Sequence, residues 1–434
     1  MERKIRLLYH GDSPNVTTGF GIVAKQILLR LYSTERYDIT CIGVNHFGQP
    51  HNLPFQIWPA STANTSRDIF GLDMLEDVLR GLVTRLLGYS SDFDVFFSLS
   101  DIWTLELLDG IIKKLNYDIP WVSYFPIDGE PIYKQWLKTL RKTTVPVCYS
   151  KYAFNLLNKL DPFLNVQYIP HGVDSKTFAP LSMTERRKWK KSFGLGNNFV
   201  IGIVGRNQPR KNLGFAIRVF DMIYHGYKVC GNCFRYYSLK YTNCPLCGSG
   251  NIDTINSNGI EDSILYLHCD PNDNYGVPLI NLIDFYDLHE CTAFPSKDSY
   301  STAHGVGEEN LNRLYNCFDV HFLPTLGEGF GLPIIESMSC GIPNIVTRTS
   351  AVTELVEGCG ELINPIDLVT LSQDHGIIRP LPSLEQSVKA ILKLYEAYEL
   401  RQEYSIASRQ KALEYSWDKA AEEFDNIFNL LVGD

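Results

Sequence analysis

The sequence predicts an α/β protein in which two doubly wound domains face each other across a cleft. Three observations lead there: short apolar runs alternate with amphipathic segments over the first third, the alternation halts in one polar stretch ending in glycines, and it restarts with the run "FVIGIVG". With 434 residues, 44% of them hydrophobic, the chain has material for two or three cores at roughly 150 residues per domain.

In the first domain the expected strands are Ile5 to Tyr9, Ile39 to Val44, Val95 to Leu99, Trp121 to Phe125, Val145 to Tyr149 and Val166 to Ile169, with helices over Gly21 to Leu31, Leu72 to Leu87 and Tyr152 to Leu160. The polar stretch from Phe178 to Gly196 marks the boundary. Its cations Arg186, Arg187, Lys188, Lys190 and Lys191 read as a solvated helix face, with phosphate or lipid headgroups as the alternative. Further strands are expected at Leu265 to Cys269, Cys291 to Phe294, Val320 to Leu323 and Asn344 to Thr347. The tail places Trp417, Ala420, Phe424 and Ile427 on one helical face that needs a surface to dock on. The reading is thus a first domain over 1–177 with a returning helix at 416–434, a second over 178–415, and an insertion at 226–262.

A formal charge of −9 and a pI near 5.6 argue against bulk binding to nucleic acid or anionic lipid, leaving at most peripheral membrane contact. No run approaches the ~18 apolar residues of a spanning helix, and "MERKIRLLYHGDSPN" carries no apolar core. Of the 11 cysteines, seven are scattered, such as Cys148 and Cys317, which fits a reducing, cytoplasmic setting without disulfides.

Three stretches carry chemistry. In "PTLGEGFGLPIIESMSCGIP" a strand runs into a loop holding Gly327, Glu328, Gly329 and Gly331, and a helix opens near Leu332 with Glu336 expected in its first turn. Glycines admit a ligand close to the backbone, free N–H groups at a helix start favour anions or sugar hydroxyls, and carboxylates accept from vicinal hydroxyls. The bland alternative makes Glu328 a turn residue and Glu336 a partner of the helix dipole. In "IGIVGRNQPRKNLGFAIRVF" a buried strand delivers Arg206 and Lys211 to its carboxyl end, a forked and a mobile cation suited to a diphosphate. After the first strand, "HGDSPNVTTGFGIVAKQ" lacks the P-loop lysine; Gly19 and Gly21 either line the cleft near a phosphate or form a tight turn.

With these motifs the chain resembles the retaining glycosyltransferases of family four, which have the GT-B fold of two Rossmann-like domains. The resemblance covers most of the chain, through "VPVCYSKYAFNLLNK", "YIPHGVDSKTFAP", "VGRNQPRKN", "ENLNRLYNCFDVHFLPT", the carboxylate pair in "EGFGLPIIE" and the "SWDKAAEEF" tail. It implies that Arg206 and Lys211 hold the diphosphate of a UDP- or GDP-linked sugar, and that Glu328 and the backbone of Gly329, Phe330, Gly331 and Leu332 contact the transferred sugar. It also implies that Glu336 contacts the ribose and that no catalytic metal is needed. Two positions depart from the pattern. Pro126 in "YFPIDGEP" stands where a histidine is usual, leaving Asp128 as the acceptor-side candidate beside Glu130, and His171 stands where an asparagine is usual. Base selection is expected around Pro295 to Lys297.

Cys230, Cys233, Cys244 and Cys247 form two CxxC pairs ten residues apart, the spacing of a closed structural zinc site, with a redox dithiol or plain core cysteines as the alternatives. The nearby Phe234, Tyr236, Tyr237 and Tyr241, with Arg235 and Lys240, read as the small core of that ribbon, with stacking on a polymer or nucleic acid as the alternative. The function expected is transfer of a hexose from a nucleotide sugar to a sugar, glycan, lipid or protein acceptor, without nucleic acid. The rivals are a non-catalytic scaffold that binds a protein or nucleic acid through the ribbon, and a hydrolase or epimerase of nucleotide sugars.

Overall fold

The computed structural model describes residues 3–61, 68–82, 92–296, 305–372 and 374–433. The first domain holds β1 (Ile5–Asp12), β2 (Tyr37–Val44), β3 (Gln56–Pro59), β4 (Val95–Leu99), β5 (Trp121–Phe125), β6 (Val145–Cys148) and β7 (Gln167–Tyr168). They form one parallel sheet in the order β3-β2-β1-β4-β5-β6-β7. Every residue of β4 and β5 is buried, as expected of central strands covered on both faces.

Next come β8 (Phe199–Val204), the short β9 (Tyr227–Cys230), β10 (Tyr236–Ser238) and β11 (Ile252–Asn256), then β12 (Ser263–His268), β13 (Thr292–Ala293), β14 (Val320–Leu323), β15 (Asn344–Thr347), β16 (Gly360–Ile363) and the pair β17 (Pro365–Thr370) and β18 (Ile378–Pro382). The second parallel sheet runs β13-β12-β8-β14-β15-β16, while β10-β9-β11 form a separate antiparallel sheet between helix Leu213–Tyr224 and β12. The small sheet's core is Cys230, Tyr237 and Cys244 with Cys233 and Tyr241; Tyr236 stacks on Tyr227 at 4.7 Å, and Phe234 is exposed.

Several expected elements differ. The helix read over Leu72 to Leu87 is Leu72–Leu79, and residues 83–91 lie outside the described ones. The strand read at Cys291 to Phe294 shrinks to two residues because Cys291 closes a 3-10 turn, His289–Cys291. The basic stretch is a helix, Met183–Ser192, opened by a Ser182/Glu185 capping box. Two of its cations dock it: Arg186 donates to the carbonyls of Asn316 and Phe318 at 2.7 and 2.9 Å, and Lys190 pairs with Asp319 at 2.6 Å. Among the described residues no helix is long and apolar enough to cross a membrane.

Two segments cross from one domain to pack on the other, besides the contact of helix Lys151–Leu160 with Ser350–Val356, where Lys151 N–H donates to Glu354 at 3.1 Å. Helix Trp417–Val432 returns to the first sheet, where Phe424 meets Phe97 and Tyr124, each at 4.9 Å, and Tyr37 donates to Asp425 at 2.6 Å. The pair β17–β18 reaches over from the second domain: Ile377 joins the first domain's core and the Ile378 N–H donates to the Glu130 carbonyl at 2.6 Å.

At Gly172 the backbones of Ser416 and Trp417 come so close that a Cβ would overlap them. Overpacking of this kind costs about 1 to 3 kcal/mol. Gly172→Ala should therefore lower the thermal midpoint by several degrees, whereas Gly110→Ala, on an exposed helical position with open space around it, should not lower it. Equal melting of Gly172→Ala and wild type would show that the returning helix is not packed this way.

Candidate active site

In each sheet the strand order reverses once, between β1 and β4 in the first and between β8 and β14 in the second. Open α/β sheets bind ligands at the carboxyl ends of the strands beside such a reversal. The loops leaving β8 and β14 run side by side, joined by a hydrogen bond from Leu326 N–H to the Arg210 carbonyl at 2.7 Å. They carry the residues singled out from the sequence.

Their centre is an ion triad of two buried groups, Glu328 and Lys211, and Arg210, whose side chain is 30% exposed. Glu328 is 5% exposed and Lys211 6%. Lys211 Nζ donates to Glu328 Oε1 at 2.6 Å and Arg210 Nη1 to Oε2 at 2.9 Å, while the Thr325 hydroxyl donates to Oε1 at 2.8 Å. Burial alone would raise the Glu328 carboxyl, but the charges of Arg210 and Lys211 outweigh it and hold the group at about 2. Burial lowers Lys211, with Glu328 partly restoring it. Glu328 is therefore no solvated turn residue.

Arg206 does not join this triad. Its side chain is 50% exposed at the rim, where Nε donates to Asp273 Oδ2 at 2.5 Å and Nη2 to Oδ1 at 3.2 Å, with the guanidinium over the Tyr275 ring. Arg210, inside the quoted motif but passed over in the sequence reading, takes the inner place. The cause is local: Pro209–Lys211 is a 3-10 turn closed by Asn212 in the left-handed region, and this turn delivers adjacent cations to one carboxylate.

Beyond Glu328 the loop meets helix Leu332–Ser339, whose N-cap Gly331 has φ +109°. The N–H groups of Gly329, Phe330, Gly331 and Leu332 make no hydrogen bond among the described residues, so they remain free for a ligand. The Phe330 side chain packs on His171 at 4.8 Å. A Cβ at Gly329 would lie 2.6 Å from Pro126 and 3.0 Å from the Tyr149 ring. The first domain thus closes directly over this loop, with Pro126 and Tyr149 against it. His171 is buried with both ring nitrogens unpartnered among the described residues, and burial pushes it down to about 3.

Glu336 lies in the second helical turn rather than the first, so it does not serve the helix dipole. It is buried and accepts from the Tyr315 hydroxyl at 2.8 Å. Burial pushes it up to about 8, despite that hydrogen bond.

Opposite the triad the first domain presents carboxyls. Asp12, at the end of β1, accepts from the Thr18 hydroxyl, which itself caps the Gly21 N–H at 3.0 Å. That N–H is therefore taken, and Gly19 is exposed beside it. Asp101, just beyond β4, was not read from the sequence; burial and the charge of Asp128 push it up to about 7, against the pull of Arg210. Asp128 itself pairs with Arg379 at 3.1 Å. Of the segment expected to select the base, Pro295 and Ser296 are described and Lys297 lies outside the described residues.

The four ribbon cysteines offer Sγ atoms that all lie within 4.8 Å of one another, with Cys230–Cys247 and Cys233–Cys244 both at 3.6 Å. A tetrahedral ion with bonds of about 2.3 Å needs thiolates about 3.8 Å apart. The backbone N–H groups of Asn232 and Cys233 point at Cys230 Sγ, at 3.4 and 3.5 Å. The cluster could hold a metal ion.

Residues 289–396 match the family model of glycosyl transferases group 1. O-antigen chain mannosyltransferase B of Escherichia coli is 27% identical over 126 residues, 29% of this chain and 29% of that protein. The chain spans less than a third of the length of each of the curated relatives it matches. Among solved structures, sucrose-phosphate synthase of Thermosynechococcus elongatus superposes with a TM-score of 0.71 at 15% identity, covering 99% of both chains. HepE of Anabaena, solved with UDP and glucose, superposes at 0.66 and 14% identity, covering 99% of this chain and 100% of that one. The two-domain architecture is the GT-B fold.

Proposed function

We propose that the chain is a retaining, metal-independent glycosyltransferase that moves a hexose from a UDP- or GDP-linked sugar to a hydroxyl of a sugar, glycan, lipid or protein acceptor. The observation that carries this reading is the triad of Lys211, Glu328 and Arg210 beside the free N–H groups of Gly329 to Leu332. Two cations to one carboxylate leave net positive charge beside a helix start, which is what a diphosphate needs. The UDP seen in HepE and the match to group 1 support it.

In this reading Lys211 and Arg206 hold the diphosphate, Arg206 leaving Asp273 to do so, and Arg210 keeps Glu328 ionised. Glu328 and the Gly329 to Leu332 amides hold the sugar, Glu336 the ribose, Gly19 and Gly21 the near wall of the cleft, and Asp128 the acceptor side. As the acceptor oxygen bonds the anomeric carbon, the bond to the diphosphate breaks. Its electron pair leaves with the nucleoside diphosphate, which also takes the hydroxyl proton. Fixed cations stabilise the charge on those oxygens without reorganisation. A zinc ion held by Cys230, Cys233, Cys244 and Cys247 would be structural, since four thiolates close its shell.

Losing about 3 to 4 kcal/mol of such stabilisation costs on the order of a few hundredfold in rate. That loss is expected for Lys211→Ala and for Arg206→Ala, measured as nucleoside diphosphate released from UDP-glucose or GDP-mannose. Turnover within tenfold of wild type in both variants would contradict the assignment. Glu336 gives a pH signature. Its ordinary value is 4.5 and its folded value about 8, so across that window the unfolded chain sheds a proton the folded chain keeps, and stability falls as pH rises. Glu336→Gln should match wild type in urea at pH 5 and outlast it at pH 8.5; a constant difference would contradict this burial. For the ribbon, elemental analysis should find one zinc per chain, absent in Cys230→Ser and Cys244→Ser, whose melting should fall. Zinc-free wild-type protein with an unchanged melting point would exclude a structural ion.

A further inference from the structure

The pair β17–β18 leaves the second domain to lie on the first, and the proposed chemistry does not account for what it brings there. Its apolar anchor is Ile377, set in the first domain's core. Around it His375 stacks on Trp103 at 5.0 Å and Tyr133 donates to the His375 carbonyl at 2.8 Å. Two residues past the anchor, Arg379 enters the cleft with only 2% of its surface exposed. A strap that served packing alone would have no use for a buried cation, since apolar residues of similar volume fill such a place at no greater cost.

The guanidinium spends its donors on two aspartates, Asp374 and Asp128. Nε and Nη2 grip Asp374 of the same hairpin as a fork, at 2.7 and 2.9 Å. Nη1 reaches the Asp128 carbonyl at 2.9 Å and Asp128 Oδ1 at 3.1 Å. On its other side lies the sugar loop: a Cβ at Gly327 would overlap both Arg379 Nη1 and the Asp128 carbonyl. Arg379 therefore touches, at one point, the first domain's Asp128 and the backbone one residue before Glu328. The Asp128 side chain remains 27% exposed, and its charge is felt by Asp101 and Arg210 within the cleft. The charges alternate across the domain boundary as Asp374, Arg379, Asp128, Arg210, Glu328 and Lys211.

We propose that Arg379 is a positioning residue for the transfer: the hairpin carries it into the cleft to hold Asp128 in register with the Glu328 loop, so that Asp128 meets the attacking molecule. Asp128 accepts a hydrogen bond from that molecule and takes no proton; the proton of the attacking hydroxyl leaves with the diphosphate. Water attacking in place of an acceptor has a second O–H for Asp128, so the slow hydrolysis of a nucleotide sugar reports the same positioning. The inference rests on the proposed glycosyl transfer. Lysine cannot replace the fork, because one ammonium cannot span Asp374 and Asp128 with the same geometry.

The test uses full-length protein with UDP-glucose and GDP-mannose. Binding of UDP and GDP by wild type, read by calorimetry, tests the underlying function by itself; no binding by either would overturn that function and this inference with it. Where wild type binds, Arg379→Lys should keep the nucleotide Kd and the donor KM within twofold while kcat for hydrolysis falls at least tenfold, since small misplacements at a reacting centre carry penalties of that order. Asp128→Asn, whose folding is checked by its melting point and whose amide oxygen can still accept from Arg379, should show the same split. The double variant should lose no more than Asp128→Asn alone, because the arginine acts through that carboxylate. A kcat within twofold of wild type in Asp128→Asn, or a double variant whose loss is the product of the single losses, would overturn the proposal. A loss of nucleotide affinity in proportion to kcat would also overturn it and leave Arg379 a structural strut.

Discussion

A carboxylate buried between two cations organises the cleft. Taking Glu328 and Lys211 out of water costs several kcal/mol per ion before their attraction, and that of the partly exposed Arg210, returns any of it, so such a cluster is poor value as a device for stability. In the proposed function its use is pre-organisation. The two cations hold Glu328 ionised at about 2, and Glu328 in turn holds Lys211 at the head of a loop where free amides begin. An incoming anion would meet charges already in place, in surroundings of low dielectric where they act strongly.

The folding of the two sheets explains why the cluster forms there. The strand reversal between β8 and β14 opens a crevice in the second domain, and the reversal between β1 and β4 opens one in the first. The returning helix and the β17–β18 strap hold the two crevices face to face. The result is polarised: amides and cations on one wall, Asp12, Asp101 and Asp128 on the other. In the proposed transfer that difference would place a donor with negative charge on one wall and an acceptor with hydroxyls on the other.

Much of this was legible in the residues. The buried strands, the Gly-rich loop with Glu328 and the Lys211 loop all carry strong local signals, because period, glycine spacing and charge are properties of short segments. What escaped depends on tertiary context. Arg210 and Arg206 look alike in "RNQPRKN", and only the turn at Pro209–Lys211 decides which enters the triad. Asp101 follows an apolar strand like many loop acids; its perturbation comes from burial and from Asp128, distant in sequence. The strap hid because β17 is nearly all exposed, so its residues show no buried face to read. Glu336 was placed one turn early, and that turn separates a dipole partner from a buried acid bonded to Tyr315.

The account stands most directly on where a nucleoside diphosphate binds, and hydrogen exchange of the full chain with and without UDP or GDP measures that. Slowed exchange should appear in peptides covering residues 205–213 and 326–336, the two loops that meet at the triad. Protection confined to the ribbon at 227–256 or to the basic helix at 183–192, or none with either nucleotide, would contradict it.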